Sequence, residues 1–378
     1  MIIYDNRGFF ALLLRVKGTV YSGIFVRCLA AALFGVLAAI LQDRGLVGAS
    51  TSYLTEGNFQ MLYTFIGTVL GLMLSFRLSM AYNRWEEANM QMGSFRQCTR
   101  NIISSLAAHI SASEDDIKDA MSVLREMRHL IVSLCVLIIK DLHDDTNIED
   151  LVSLGYLSPS NVDHISESRV HLFADHISAS HVEARPARVR PALLTVLIRQ
   201  KLKELVKKRY VGSEVFATSE ARIDELSRVF SSLLRIAATP MPFIMNHFLK
   251  VIMALYVFTV PFGIVAHLKW LTPVALLVIS LLFFGADQIA VEIEEPLGQD
   301  LNDIDPAFHI VRLDIETAAM VAHIQHMNKI PRRDQDVPTL ASNWHHLELD
   351  NSVTSGTTPY QHPVRPVISD EQPLLSGR

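Results

Sequence analysis

Four stretches of the chain are long and predominantly apolar: about residues 20–41, 59–82, 243–267 and 271–290. A helix needs roughly 20 apolar residues to cross a hydrocarbon core, so each stretch is predicted to be a membrane span. The last two are separated only by Leu268 to Trp270, a connection short enough for an antiparallel hairpin, and Trp270 suits a membrane interface. Between the second and third spans, residues 83–239 carry two charged amphipathic stretches, Ser113 to Asp145 and Pro191 to Ile236. Within the first of these, Leu130 to Ile139 is apolar apart from Ser133 but only about ten residues long, which predicts a buried helix of a water-exposed region rather than a fifth span. Residues 306–330 read as a cytosolic extension. From Pro331 the chain is polar, punctuated by proline and without period, so 331–378 is expected to be a disordered tail.

Composition supports the spans: half of the 378 residues are hydrophobic (50%) and mean hydropathy is +0.26. The net charge of -5 includes no basic excess, and no nucleic-acid motif occurs, so nucleic acid is not an expected partner. Basic residues are distributed unevenly. Arg7, Arg15 and Lys17 precede the first span, and Arg77, Arg84, Arg96 and Arg100 gather at and beyond the end of the second. The intervening loop has Arg44 alone, opposed by Asp43 and Glu56, so both termini and the long middle region are expected in the cytosol. The apolar run after Gly18 is too long for a cleaved signal peptide and reads as a retained first span. The spans look clean apart from Arg27 and Lys250, which lie toward span ends. Cys28, Cys98 and Cys135 have no paired or metal-like spacing and read as reduced packing thiols. His171, His176 and His181 are five apart, which places them on different faces of any helix and argues against a metal site.

The second span shows two neighbouring rows at four-residue spacing. Gly67, Gly71, Ser75 and Ser79 are small, and small residues let helix backbones approach closely in a bilayer. Beside them run Thr68, Leu72 and Phe76. If the small row packs against other helices, the adjoining row can face an axis shared between subunits. The alternative, ordinary helix packing, remains open on the pattern alone.

The end of this span, Phe76-Arg77 followed by Tyr82, Arg84-Trp85 and Glu87, resembles the signature of the bestrophin family, with a departure at Glu86 where a second tryptophan is usual. Lys17-Gly18 before the first span, Thr239-Pro240-Met241-Pro242 before the third, and Glu292 to Gly298 with Asp300 and Asp303 after the fourth resemble the family in order and spacing, most like its bacterial, fungal and plant members. The resemblance covers roughly residues 8 to 305 and implies an all-α membrane protein with four transmembrane helices per subunit and a cytosolic helical region, assembled as a homopentamer around one axial pore. It implies that Thr68, Leu72 and Phe76 line the pore neck and that Arg77, Arg84, Trp85 and Glu87 are family motif residues, while the small-residue pattern makes Gly67, Gly71 and Ser75 the helix-packing candidates. Arg77 and Arg84 could lend positive potential below the neck; their other reading is interfacial anchoring and salt bridging, with Glu87 the expected partner. Thr68 departs from the usual aliphatic or aromatic residue, and five hydroxyls hydrate more easily than an apolar ring. The implied activity is conduction of chloride or bicarbonate.

Seven acids crowd into Asp287 to Asp305. By resemblance to the calcium clasp of animal members, Glu292, Glu295, Asp300 and Asp303 are candidate calcium ligands; the alternative is a solvated acidic helix end. Asp370 with Leu374 and Leu375 fits an acidic di-leucine signal for a sorting adaptor, which would direct the protein to endosomal, lysosomal or vacuolar membranes instead of the plasma membrane. Competing readings are a cation channel, a secondary transporter on the same scaffold and a non-conducting membrane scaffold. No internal repeat supports a transporter. No zinc-protease, phosphate-loop or nucleophile-elbow motif supports an enzyme.

Overall fold

The protein was analysed as a computed structural model, which describes residues 18–45, 57–113, 116–142, 147–162, 190–298 and 302–330. Among the described residues the α-helices are α1 Tyr21–Asp43, α2 Gly57–His109, α3 Ile117–Leu142, α4 Glu149–Ser153, α5 Arg190–Lys207, α6 Ser213–Ala238, α7 Phe243–Leu268, α8 Thr272–Glu294 and α9 Pro306–Met327. A 3₁₀ turn, Lys269–Leu271, joins α7 to α8, with Lys269 at φ 46°. Among the described residues, three helical stretches are long and apolar enough to cross a membrane: Tyr21–Asp43, Met61–His109 and Ser213–Glu294. The last is interrupted twice. Pro240 and Pro242 deny backbone donors between α6 and α7, and the 3₁₀ turn breaks α7 from α8.

α2 is one uninterrupted helix of 53 residues, although its apolar stretch ends near Tyr82. At 1.5 Å per residue it is roughly 80 Å long, more than twice a hydrocarbon core. Its two halves belong to two different cores. Leu70 and Leu74 join Ile24 and Cys28 of α1, Leu249, Met253 and Val257 of α7, and Leu276 and Phe284 of α8. Further along, Met92, Phe95, Ile102, Ile103 and Leu106 join α3, α5, α6 and α9 in the larger core.

Glycine sets the spacing of the first bundle. A β-carbon on Gly23 would stand 2.8 Å from the Gln288 side chain, and one on Gly35 would stand 2.9 Å from the backbone of Pro273. α1 and α8 are therefore antiparallel and close at both ends. The same relation holds between α2 and α7. Tyr256 of α7 sits on Gly67, and Tyr63 of α2 sits on Gly263.

In the second core, every residue from Leu130 to Asp141 of α3 is buried, so the short apolar run is an interior helix. α9 is not an appendage to this core. Ile310, Leu313 and Val321 are part of it, and Asp314 is buried against Arg128 of α3 (2.5 Å) and the Tyr156 hydroxyl (2.8 Å). The boundary expected at residue 305 is a turn within one packed unit: Asp305 caps α9 by accepting from the Phe308 amide, with Pro306 at the first helical position. The three cysteines are free and buried. The three spaced histidines and the acidic di-leucine motif lie outside the described residues.

Candidate functional site

The first half of α2 is buried along one stripe and open along another. Leu70, Leu74, Arg77 and Ala81, spaced four, three and four residues apart, are at most 5% exposed. Leu72 and Phe76 are 56% and 60% exposed, and Thr68 is exposed with them. The row singled out in the sequence is thus directed away from its own subunit. The Thr68 hydroxyl donates back to the Thr64 carbonyl at 2.8 Å, so its proton is occupied and what it presents outward is its methyl group and oxygen lone pairs.

The adjoining small row divides. Gly67 is filled by Tyr256, whose hydroxyl would stand 2.6 Å from a β-carbon there. Gly71 meets nothing within 4 Å, and Ser75 is exposed. Within the subunit, close packing of this row is therefore confined to Gly67.

One residue beyond Phe76, the chain buries a charge. Arg77 is 2% exposed and pairs with Asp287 of α8, whose side chain is 1% exposed, and with Glu294 at 3.4 Å. Glu294 also accepts from Asn246 of α7 at 3.3 Å. Two buried opposite charges offset each other's desolvation, whereas either alone would be a large penalty. Asp287 lies inside the predicted fourth span, so that span is not free of charge. The acid was legible as an ionisable residue in an apolar run, but its partner was not.

Arg84 and Glu87 are not partners. The Arg84 guanidinium donates to the carbonyls of Ile236 and Thr239, closing the C-terminal end of α6 where helix carbonyls lack internal partners. Glu87 pairs with Arg235 at 2.5 Å. Both motif residues therefore bind α2 to the last turn of α6, one turn before the Pro240–Pro242 break. Trp85 lies against the second core and stacks on Tyr82, with ring centroids 6.3 Å apart and planes at 24°. Arg77 is paired with carboxylates, whereas Arg84 has its donors taken by neutral carbonyls and keeps its net charge.

The acids after α8 are dispersed among separate tasks. Glu292 accepts from Gln288 on its own helix at 3.2 Å, and Glu295 is exposed at the helix end, its carbonyl taken by the Gly298 amide at 3.1 Å. Asp303 is 3% exposed and folds onto Gly298, its carboxylate 2.7 Å from where a β-carbon would be. Asp300 lies outside the described residues. Among the described residues no three of His, Cys, Asp or Glu are grouped to hold a metal ion. Of the four candidate calcium ligands, Glu292, Glu295 and Asp303 thus have separate surroundings among the described residues.

Residues 1–314 match a family described as Bacterial/Fungal Bestrophin protein. The chain belongs to this bestrophin family. A voltage-dependent anion channel-forming protein of Nostoc sp. is 26% identical over 303 residues, covering 79% of this chain and 87% of that protein. The voltage-dependent anion channel-forming protein YneE of Escherichia coli is 23% identical over 255 residues, covering 67% and 74%. In fold, the chain is similar to a crystallised bacterial bestrophin homolog from Klebsiella pneumoniae, with a TM-score of 0.61 at 21% identity over 82% of this chain and 100% of that one. This bestrophin is a helical integral membrane protein. Arg77 attaches α2 to α8, and Arg84 and Glu87 attach it to α6.

Proposed function

We propose that this bestrophin is one subunit of an anion channel, a pentamer in which the exposed Thr68, Leu72 and Phe76 of α2 from each copy surround a common axis as the neck. The observation that carries the reading is the division of α2. Its buried stripe is fixed to α7 and α8 through Gly67 and Arg77, while the opposite row is presented outward on the same rigid helix. The names of the Nostoc and Escherichia coli relatives support anion conduction. α1, the first half of α2, α7 and α8 are then the four crossings, with both termini and residues 83–239 on the cytosolic side. Residues 1–305 with α9 form the channel unit, and 331–378 are the tail that carries the sorting signal Asp370, Leu374 and Leu375.

In such a neck an ion sheds part of its water against rings of leucine and phenylalanine. Weak attraction from phenylalanine edges suits an anion that must also leave quickly. With Arg77 and Arg84 both engaged, selectivity does not rest on a fixed cation in the neck. Thr68 makes the outer ring easier to wet than an aliphatic one. Chloride and bicarbonate are the expected ions.

The test is reconstitution of the purified chain in planar bilayers under asymmetric chloride. A reversal potential close to the chloride equilibrium potential, altered when Phe76 becomes alanine, supports the proposal. Reversal toward the cation potential identifies a cation channel on the same scaffold, and silence favours a transporter or scaffold.

A further inference from the structure

Arg27 of α1 and Lys250 of α7 are both exposed, and among the described residues neither makes a hydrogen bond or ion pair. They belong to neighbouring parallel helices whose register is fixed further along, where the ring of Phe34 stands edge-on to Phe258 and Phe262 at 5.3 and 5.7 Å. Arg27 is six residues past the start of α1, and Lys250 is seven past the start of α7, so both lie about 10 Å along their helices at 1.5 Å per residue. Lys250 is within electrostatic reach of Arg27, Arg77 and Glu294. Glu294 is already engaged by Arg77 and Asn246. The pair of cations is therefore left without a carboxylate of its own.

Their surroundings are apolar and face outward: Phe25, Val26 and Leu29 beside Arg27, and Phe248 and Val251 beside Lys250, are all more than 40% exposed. A charge in hydrocarbon is costly, and side chains of this length can reach the headgroup layer at the end where α1 and α7 begin. At that end neither helix has an acid in its first turn, and two helix N-termini add their partial positive charge. His247, one turn nearer the start of α7 than Lys250, is exposed and stacks on Phe243 at 5.4 Å.

We infer that Arg27 and Lys250 form a binding site for the phosphate headgroup of an anionic phospholipid in the leaflet where α1 and α7 begin. Two cations on adjacent helices, two helix N-termini and a flanking apolar surface suit a phosphodiester attached to acyl chains. A soluble anion would gain nothing from the exposed phenylalanines. By the distribution of basic residues this is the cytosolic leaflet.

The test is native mass spectrometry of the full-length protein, released from detergent with equimolar phosphatidylglycerol and phosphatidylcholine of identical chains. The wild-type protein is expected to retain phosphatidylglycerol in preference. The R27Q/K250Q protein should lose that preference by roughly fivefold per cation removed, while R27K/K250R keeps it. Equal retention of the two lipids by the wild type overturns the site without need of any variant. So does an unchanged preference in a folded R27Q/K250Q protein. Displacement of the bound lipid by excess inorganic phosphate would overturn the assignment to a headgroup in favour of a soluble anion.

Discussion

Arg77 and Asp287 form a buried ion pair between α2 and α8, immediately after Phe76 on α2. The pair fixes the rotation of α2, because moving Arg77 out of the interior would leave the Asp287 carboxylate buried without its counterion. Asp287→Ala is expected to destabilise the folded protein by about 3 to 5 kcal/mol, since it strands a buried guanidinium with only the more distant Glu294. A double replacement, Arg77→Met with Asp287→Leu, should recover most of that loss. Thermal unfolding of the two variants in detergent checks the difference.

Gly67 and Gly71 are neighbours in sequence pattern but not in consequence. A methyl group at Gly67 must displace the Tyr256 hydroxyl, so Gly67→Ala is expected to cost about 1 to 3 kcal/mol. Gly71 meets nothing within the subunit, and Gly71→Ala should leave its stability unchanged or raise it by up to about 1 kcal/mol through helix propensity. Unfolding midpoints of the two single variants, compared in the same detergent, distinguish them.

His309 links stability to acidity. Burial, with Arg96 and Arg312 adding to it and Asp305 opposing, holds the imidazole below its ordinary value of 6.5. The unfolded chain therefore binds more protons than the folded one as pH falls through 6.5 toward the folded-state value. Stability from this group is complete above pH 6.5 and declines below it. His309→Gln should flatten that part of the acid limb in a melting-temperature series against pH.

The two thiols of the larger core should be inert in the native protein. Burial, reinforced by Glu225, pushes the Cys98 thiol up to about 11, and burial pushes Cys135 up to about 12. The reactive thiolate is then a trace species near neutrality. Maleimide labelling at pH 7.5 is expected to leave both unmodified until denaturant is added. Rapid native labelling of either, located by peptide mapping, would contradict the packing of α2 against α3 and α6.

Calcium removal should change little. Glu292 is engaged along its own helix, Glu295 is exposed and Asp303 folds onto Gly298. Currents of the reconstituted protein are expected to be the same in chelator and in millimolar calcium, and the same after Asp303→Asn in a folded variant. A reproducible calcium-dependent current would show that the acids converge around the ion on binding.

The apolar stretches, the break at Pro240 to Pro242 and the hairpin at Trp270 follow from the sequence alone, because spanning a bilayer and ending a helix are local requirements of composition and backbone chemistry. So does the grouping of Thr68, Leu72 and Phe76 on one helical face, whereas the packing of the other face is what turns that row outward. What sequence spacing cannot supply is the identity of partners far apart in the chain. Arg77 was readable as a charge at the end of a span, but only packing brings it to Asp287 and Glu294; Arg84 was expected near Glu87, yet the two turn to different groups on α6. The length of α2 was hidden for the same reason. Its apolar pattern stops near Tyr82, while its backbone continues to His109 because the second half finds a different core to fill. The sequence determined which residues must leave water or enter lipid, and the tertiary structure decided which of them meet, since desolvated charges and glycine clefts are satisfied only by whichever neighbour the fold delivers.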